Sequence, residues 1–172
     1  SDYNIDTLTG KEACFKLYTK QMVQFTTAWG KLYKSSFFEK YRYPIGKIHE
    51  DEYVTYKMLF ESKKVVALDE QIYFYRVNMD GIMLSKFSLK RFDIMQAFEE
   101  RMVYFKEHNQ YELMRLTEKE KDKILAQYNI IARSEHIDRK IPKQYKMNLF
   151  KAIKILKGIF TPNTFEWYMF QY

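Results

Sequence analysis

Cysteine is all but missing from this 172-residue chain, where Cys14 stands alone. One thiol can build neither a disulfide framework nor a cysteine-based zinc site, and a cytoplasmic setting follows from that usage. Five glycines and three prolines are too few for a linker-rich or disordered chain. No signal peptide is visible, and no apolar run approaches the length of a transmembrane helix. The chain opens on Ser1 rather than methionine, as an excised or processed piece of a longer protein would. There is no Gly-x-Gly-x-x-Gly and no Walker-type loop, so no local motif cradles a nucleotide phosphate. His49, His108 and His136 sit in three separate elements and no His-Glu-x-x-His occurs, so no metal site is expected on this chain. No Ser/His/Asp nucleophile arrangement can be argued from spacing.

What is present is apolar and basic. The hydrophobic fraction is 47%, enough for one domain with a real core. The formal net charge is +7, which favours an anionic partner without choosing among nucleic acid, an acidic membrane and a phosphorylated ligand. Tyrosine (15) and phenylalanine (14) dominate the aromatics, against two tryptophans. Tyrosine in such numbers suits surfaces that are half apolar and half polar.

The periodicity predicts a helix-rich chain with a small strand component in the middle. After an opening segment over residues 1–7, Thr9-Gly10-Lys11-Glu12 has capping-box spacing and predicts a helix over 11–22. Ser35 or Ser36 can start a short helix. Pro44 and Gly46 mark a turn, and a helix follows over 51–62 with Tyr53, Tyr56 and Phe60 on one stripe. Residues 64–68 and 72–77 read as two strands able to form a hairpin. Ser88 is placed to cap a helix over 89–108, in which Phe92, Met95, Phe98, Met102 and Phe105 recur at threes and fours and Asn109 can end the run. A second capping box, Thr117 to Glu120, predicts a helix to about 138, and Pro142 precedes a last one over 143–159.

Three features invite a functional reading. The stretch PIGKIHEDEYVTYK, 44–57, holds three consecutive acids in a basic chain. Acids favour the first turn of a helix, where the macrodipole is positive, and a carboxylate there can equally serve a pocket. Arg76 ends an aromatic run and can grip phosphate oxygens with its planar fork, or simply stack on tyrosines at a surface. From Arg139 to Phe165 there are seven basic residues and no acid. The helix within that segment, contact region 139–160, can lie on an anionic membrane, or be a core helix whose lysines face water. Nucleic acid is not expected as a partner, since no RNP-like motif and no recognition helix stands out.

Taken together, residues 28–59 (AWGKLYKSSFFEKYRYPIGKIHEDEYVTYKML), 72–83 (IYFYRVNMDGIM) and 87–105 (FSLKRFDIMQAFEERMVYF) resemble the C-terminal half of bacterial family 2 glycosyltransferases, inverting enzymes of the GT-A type. The resemblance runs from about Leu8 to His108. It implies transfer of a sugar from a nucleotide-sugar donor to a saccharide or lipid-linked acceptor in bacterial surface polysaccharide synthesis. The family's Glu-Asp motif falls on Glu50-Asp51, which makes Asp51 the implied catalytic base and Glu50 the fallback, with Glu52 left to cap the helix or stabilise its dipole. Trp29 and Lys31 match its Trp-x-Lys and are implied on the acceptor side, and His49 is a further substrate-binding candidate. Arg76 matches an arginine near the donor diphosphate.

The implied fold is α+β and predominantly α-helical: a GT-A-like acceptor-side portion over 1–108, then a helical C-terminal extension over 109–172. One departure limits the reading. The family's donor half ends in an Asp-x-Asp motif that holds a divalent metal, Mg or Mn, and no Asp-x-Asp occurs here. Glu120-Lys121-Asp122 is the nearest mimic and belongs to the second capping box. The chain therefore reads as an acceptor-side fragment, expected to be inactive alone, to hold no metal, and to be open to homo-oligomer formation through uncovered apolar surface. Its expected place is the cytoplasm, peripheral to the inner face of the membrane. The alternative is a non-catalytic basic helical module that docks on a membrane surface or an acidic polymer.

Overall fold

The computed structural model describes residues 5–70, 73–76 and 86–159. Strand β1 (Ile5–Leu8) leads into α1 (Gly10–Lys16), α2 (Met22–Thr26) and α3 (Phe37–Lys40). Helix α4 (Asp51–Glu61) follows, then β2 (Val65–Leu68). A 3-10 turn, Leu89–Phe92, runs into α5 (Asp93–Glu107), and α6 (Tyr111–Ser134) folds back along it. Two more 3-10 turns, Asp138–Lys140 and Lys143–Tyr145, precede α7 (Leu149–Ile159). The described chain is thus predominantly helical with one two-stranded antiparallel sheet, paired from Ile5 with Leu68 to Leu8 with Val65.

Helix α4 is the hub. Tyr53, Val54, Tyr56, Met58 and Leu59 are all buried, on more than one face, so the helix is enclosed rather than amphipathic. On one side Tyr56 and Leu59 join Ala13 and Cys14 of α1, Leu17 just past its end, Phe25 of α2, Phe105 of α5 and Leu113 of α6. On another, Tyr53, Val54 and Met58 meet Ala97 of α5 and a half-buried aromatic set that includes Tyr33, Phe38 and Tyr43. Further along, Phe92, Met95 and Phe98 pack on Ile124, Tyr128 and Ala132 of α6. Cys14 is fully buried, its thiol facing the Tyr56 carbonyl at 3.6 Å. Burial pushes that thiol up to about 12, so it is an inert core residue at neutral pH.

The capping box at Thr9 forms as expected: Glu12 accepts from the Thr9 amide at 2.7 Å while the Thr9 hydroxyl accepts from the Glu12 amide. Just after it, Gly10 sits where no side chain fits. Its amide donates to the Ser62 carbonyl at 3.1 Å, and a Cβ there would come within 2.6 Å of the Leu59, Phe60 and Ser62 carbonyl oxygens. Helix propensity alone would make Gly10→Ala stabilising by about 1 kcal/mol. The clash with three backbone oxygens reverses the sign. Gly10→Ala is expected to cost about 3 kcal/mol, because the start of α1 must lift off the end of α4. A urea titration followed by circular dichroism reads this directly, and an unchanged or higher midpoint would contradict it.

Several boundaries differ from the sequence expectation. Among the described residues the predicted hairpin is not seen. β2 pairs with Ile5–Leu8, which reads from sequence only as an opening segment, and Tyr73–Arg76 carry no strand; Ile72 and Val77 lie outside the described residues. The predicted 11–22 helix splits, because the Thr19 hydroxyl donates to the Lys16 carbonyl and turns the chain before α2. Ser88 makes no side-chain capping bond, and α5 opens through the 3-10 turn instead. Thr117 caps nothing. Helix α6 already starts at Tyr111, after Asn109 takes a left-handed conformation (φ 58°). The Thr117 hydroxyl is buried inside it, donating to the Leu113 carbonyl at 2.7 Å and meeting the Tyr18 hydroxyl at 2.5 Å. Glu120 and Asp122 therefore lie mid-helix. The last helix begins at Leu149 rather than 143, where the Asn148 side chain accepts from the Lys151 amide at 2.7 Å.

Candidate functional site at the start of α4

The turn around Gly46 (φ 80°) and a left-handed His49 (φ 58°) deliver the chain to Glu50 and start α4 on Asp51. The three acids then diverge. Glu50 faces solvent. Asp51 is half-buried, and its Oδ1 accepts from the Glu52 amide at 2.9 Å. Glu52 is buried in the first turn of α4, where a carboxylate suits the helix dipole, and makes no side-chain capping bond. It is ion-paired with Arg101 of α5, whose guanidinium also donates to the Glu52 carbonyl at 3.0 Å. The Arg101 guanidinium lies 4.9 Å from the Tyr56 ring centroid and 5.3 Å from that of Phe98. Burial works against the Arg101 charge, but Glu52 more than restores it.

Asp51 is electrostatically unusual. Burial first, then the neighbouring Glu52 and Glu50 charges, raise its carboxyl from 3.8 to about 7. Lys31 lies in the same field. Burial lowers its ammonium to about 8, and the Asp51 charge works against that lowering. The two are not in ion-pair contact: Lys31 Nζ donates to the Thr27 carbonyl and reaches the Thr27 hydroxyl at 3.5 Å. Behind Asp51, the hydroxyls of Tyr33, Tyr43 and Thr55 are buried without a well-formed hydrogen bond. Burial raises the Tyr33 phenol first, with further rises from Tyr43 and Asp51. The start of α4 thus combines a carboxyl raised by burial, a lysine in the same field and three under-satisfied hydroxyls.

Of the remaining candidates, His49 is half-buried with its Nε2 unpartnered, and burial lowers its imidazole. Trp29 is stacked with Tyr73 (centroids 4.8 Å) and with Tyr75 (5.1 Å). That stack brings the 73–76 segment to the Trp-x-Lys stretch. Arg76, in the same segment, is exposed, and among the described residues it forms no ion pair. The structure thus gathers Lys31 and Asp51 into one field and ties Trp29 to the segment bearing Arg76. Sequence reading missed Arg101, Tyr33, Tyr43 and Thr55. Arg101 had a signal: it falls on the apolar stripe of α5, three residues from Phe98 and four from Phe105, where a charge needs a partner.

Comparison with known proteins adds one relation. A stretch of 66 residues is 44% identical to glycosyltransferase GlyA of Streptococcus pneumoniae serotype 4 (strain ATCC BAA-334 / TIGR4). The match covers 37% of this chain and 10% of that protein, so the chain spans a small part of its relative's length. The chain is therefore related in part to a glycosyltransferase. No protein-family model matches it, and no solved structure does. Among the described residues no three His, Cys, Asp or Glu side chains converge to hold a metal ion. The divalent ion implied by the sequence resemblance thus has no such ligand set among the described residues.

Proposed function

We propose that this chain is the acceptor-side part of an inverting glycosyltransferase of family 2 and GT-A type, with Asp51 as its general base. The observation that carries the reading is the half-buried Asp51 carboxyl, raised to about 7 beside Lys31 at the start of α4. The partial relation to a glycosyltransferase supports the same chemistry. In the proposed step the acceptor hydroxyl attacks the anomeric carbon of a nucleotide-sugar. The new O–C bond forms as the bond from that carbon to the diphosphate oxygen breaks. The hydroxyl proton passes to an Asp51 oxygen, the anomeric carbon inverts, and the nucleoside diphosphate leaves with the electron pair. A base needs a proton affinity near the working pH, and a value near 7 meets that need far better than an ordinary aspartate does.

The other side chains take roles consistent with their chemistry. Trp29 and His49 line the acceptor side, and Lys31 supplies positive charge beside the base. Arg76 offers its planar fork to the departing diphosphate. Glu50, solvent-facing, is the lesser candidate for the base. The donor-binding half and any metal belong outside this chain, which on its own is inactive under this reading. The setting is the cytoplasm, in surface polysaccharide synthesis.

The test uses the whole protein in a nucleoside diphosphate release assay, with a panel of nucleotide-sugars and saccharide or lipid-linked acceptors. Release is expected only when donor and acceptor are both present. The pH profile of kcat/KM should climb about tenfold per unit and level off near the Asp51 value of about 7. A profile flat from pH 5 to 8, or hydrolysis indifferent to acceptor, would rule out Asp51 as the base.

A further inference from the structure

The last described helix has two kinds of apolar surface, and only one is used inside the fold. Ala152, Ile155 and Leu156 turn inward against Leu125, Ala126 and Ile130 of α6. Leu149 (47% exposed), Phe150 (80%) and Ile153 (37%) stay outside that contact. Lys151, Lys154 and Lys157 stand exposed among them. Indeed every lysine and arginine from 139 to 157 is exposed, the segment contains no acid, and among the described residues none of these cations forms an ion pair. Glu118 and Asp122 of α6 line a groove of about 640 Å³ together with Lys151 and Lys154, without forming an ion pair with either.

We propose that the outward face of α7 is a docking surface for an anionic lipid bilayer, with Phe150 and Leu149 entering the boundary between headgroups and acyl chains while the surrounding lysines meet lipid phosphates. A large apolar side chain left in water among exposed lysines that form no ion pair within the described residues suits a surface that is apolar below and anionic above. A nucleic acid duplex would satisfy the lysines but leave Phe150 and Leu149 without a partner. The helix lies on the membrane and does not enter it: its 11 residues are about half of what a span requires. Among the described residues no helix is long and apolar enough to cross. This docking is independent of sugar transfer, and either can fail without the other.

The test is co-sedimentation of the 172-residue chain with phosphatidylcholine vesicles containing about 30% phosphatidylserine, against pure phosphatidylcholine. Binding is expected to the anionic vesicles alone and to fall as salt is raised. Phe150→Ser should weaken it about tenfold, and Lys151, Lys154 and Lys157 changed together to Gln about a hundredfold. These positions are exposed, so thermal melting of the variants should match the parent. Absence of sedimentation with anionic vesicles overturns the proposal. So does equal sedimentation with neutral ones, indifference to Phe150→Ser, or tighter capture by duplex DNA than by the vesicles.

Discussion

Asp51→Asn in the whole protein is expected to lower kcat for sugar transfer by about a hundredfold to ten-thousandfold, the usual range for loss of a positioned base. KM for the donor should stay within about twofold, because the step removed lies in the transition state and not in ground-state binding. Asparagine keeps the shape of the side chain and still accepts the hydrogen bond from the residue 52 amide that Asp51 Oδ1 takes at 2.9 Å. What it cannot do is accept a proton. Parallel kinetics of parent and variant check this, and a kcat within about threefold of the parent would refute the assignment.

The same substitution should make the fold more stable, which separates the catalytic reading from the helix-dipole one. The carboxyl is raised from 3.8 to about 7 in the folded chain. Between those values the unfolded chain has released the proton while the folded chain still holds it. Stability therefore falls as pH rises from about 4 to about 7, and then levels. Asparagine has no charge to bury, so Asp51→Asn should be more stable than the parent at pH 8 by on the order of 2 kcal/mol and nearly equal to it at pH 3. A purely structural acid at a helix start predicts the opposite sign, a loss of about 0.5 kcal/mol at pH 8. Denaturant melts at the two pH values read the difference, and activity lost alongside stability gained is the signature of a group kept for function.

Legibility followed the range of the interactions. The Thr9–Glu12 box and the bounds of α4 were readable because local chemistry decides them: a hydroxyl three residues from a carboxylate, and a turn ahead of acids. The apolar stripe leading into and along α5 was readable for the same reason, since Phe92, Met95, Phe98 and Phe105 went inward and Met102 is half-buried. Pairing at a distance was not. β2 offered an alternation that a nearby aromatic segment and a remote opening segment fit equally, and the remote one is its partner. Thr117 shows the same limit from the other direction. Its local pattern calls for a cap, but Leu113 is fully buried and Tyr18 lies in reach, so the helix extends backwards and the hydroxyl is spent inside. At the candidate site, the acid triplet and Lys31 were visible as residue types. Their division into one solvent-facing, one half-buried and one ion-paired carboxylate required the position of α5.

That division depends on Arg101, and Arg101→Met is expected to destabilise the fold by about 3–5 kcal/mol at pH 7, a large part of what an ordinary domain possesses. Methionine fills much of the same volume between Tyr56 and Phe98, so the cost is mainly not a cavity. It is the Glu52 carboxylate, 8% exposed, left buried without its only ion-pair partner among the described residues. One consequence follows that a simple packing defect would not give. Pairing Arg101→Met with Glu52→Gln should restore at least half of it, since breaking one side of a buried pair costs more than replacing both. Urea melts of both single variants and the double form a cycle that measures the coupling, and additive losses would show the pair to be incidental. The pair also bears on the site. It pins the first turn of α4 to α5 one residue from Asp51, so the double variant, folded but unpinned, should lower kcat for transfer even where it recovers stability.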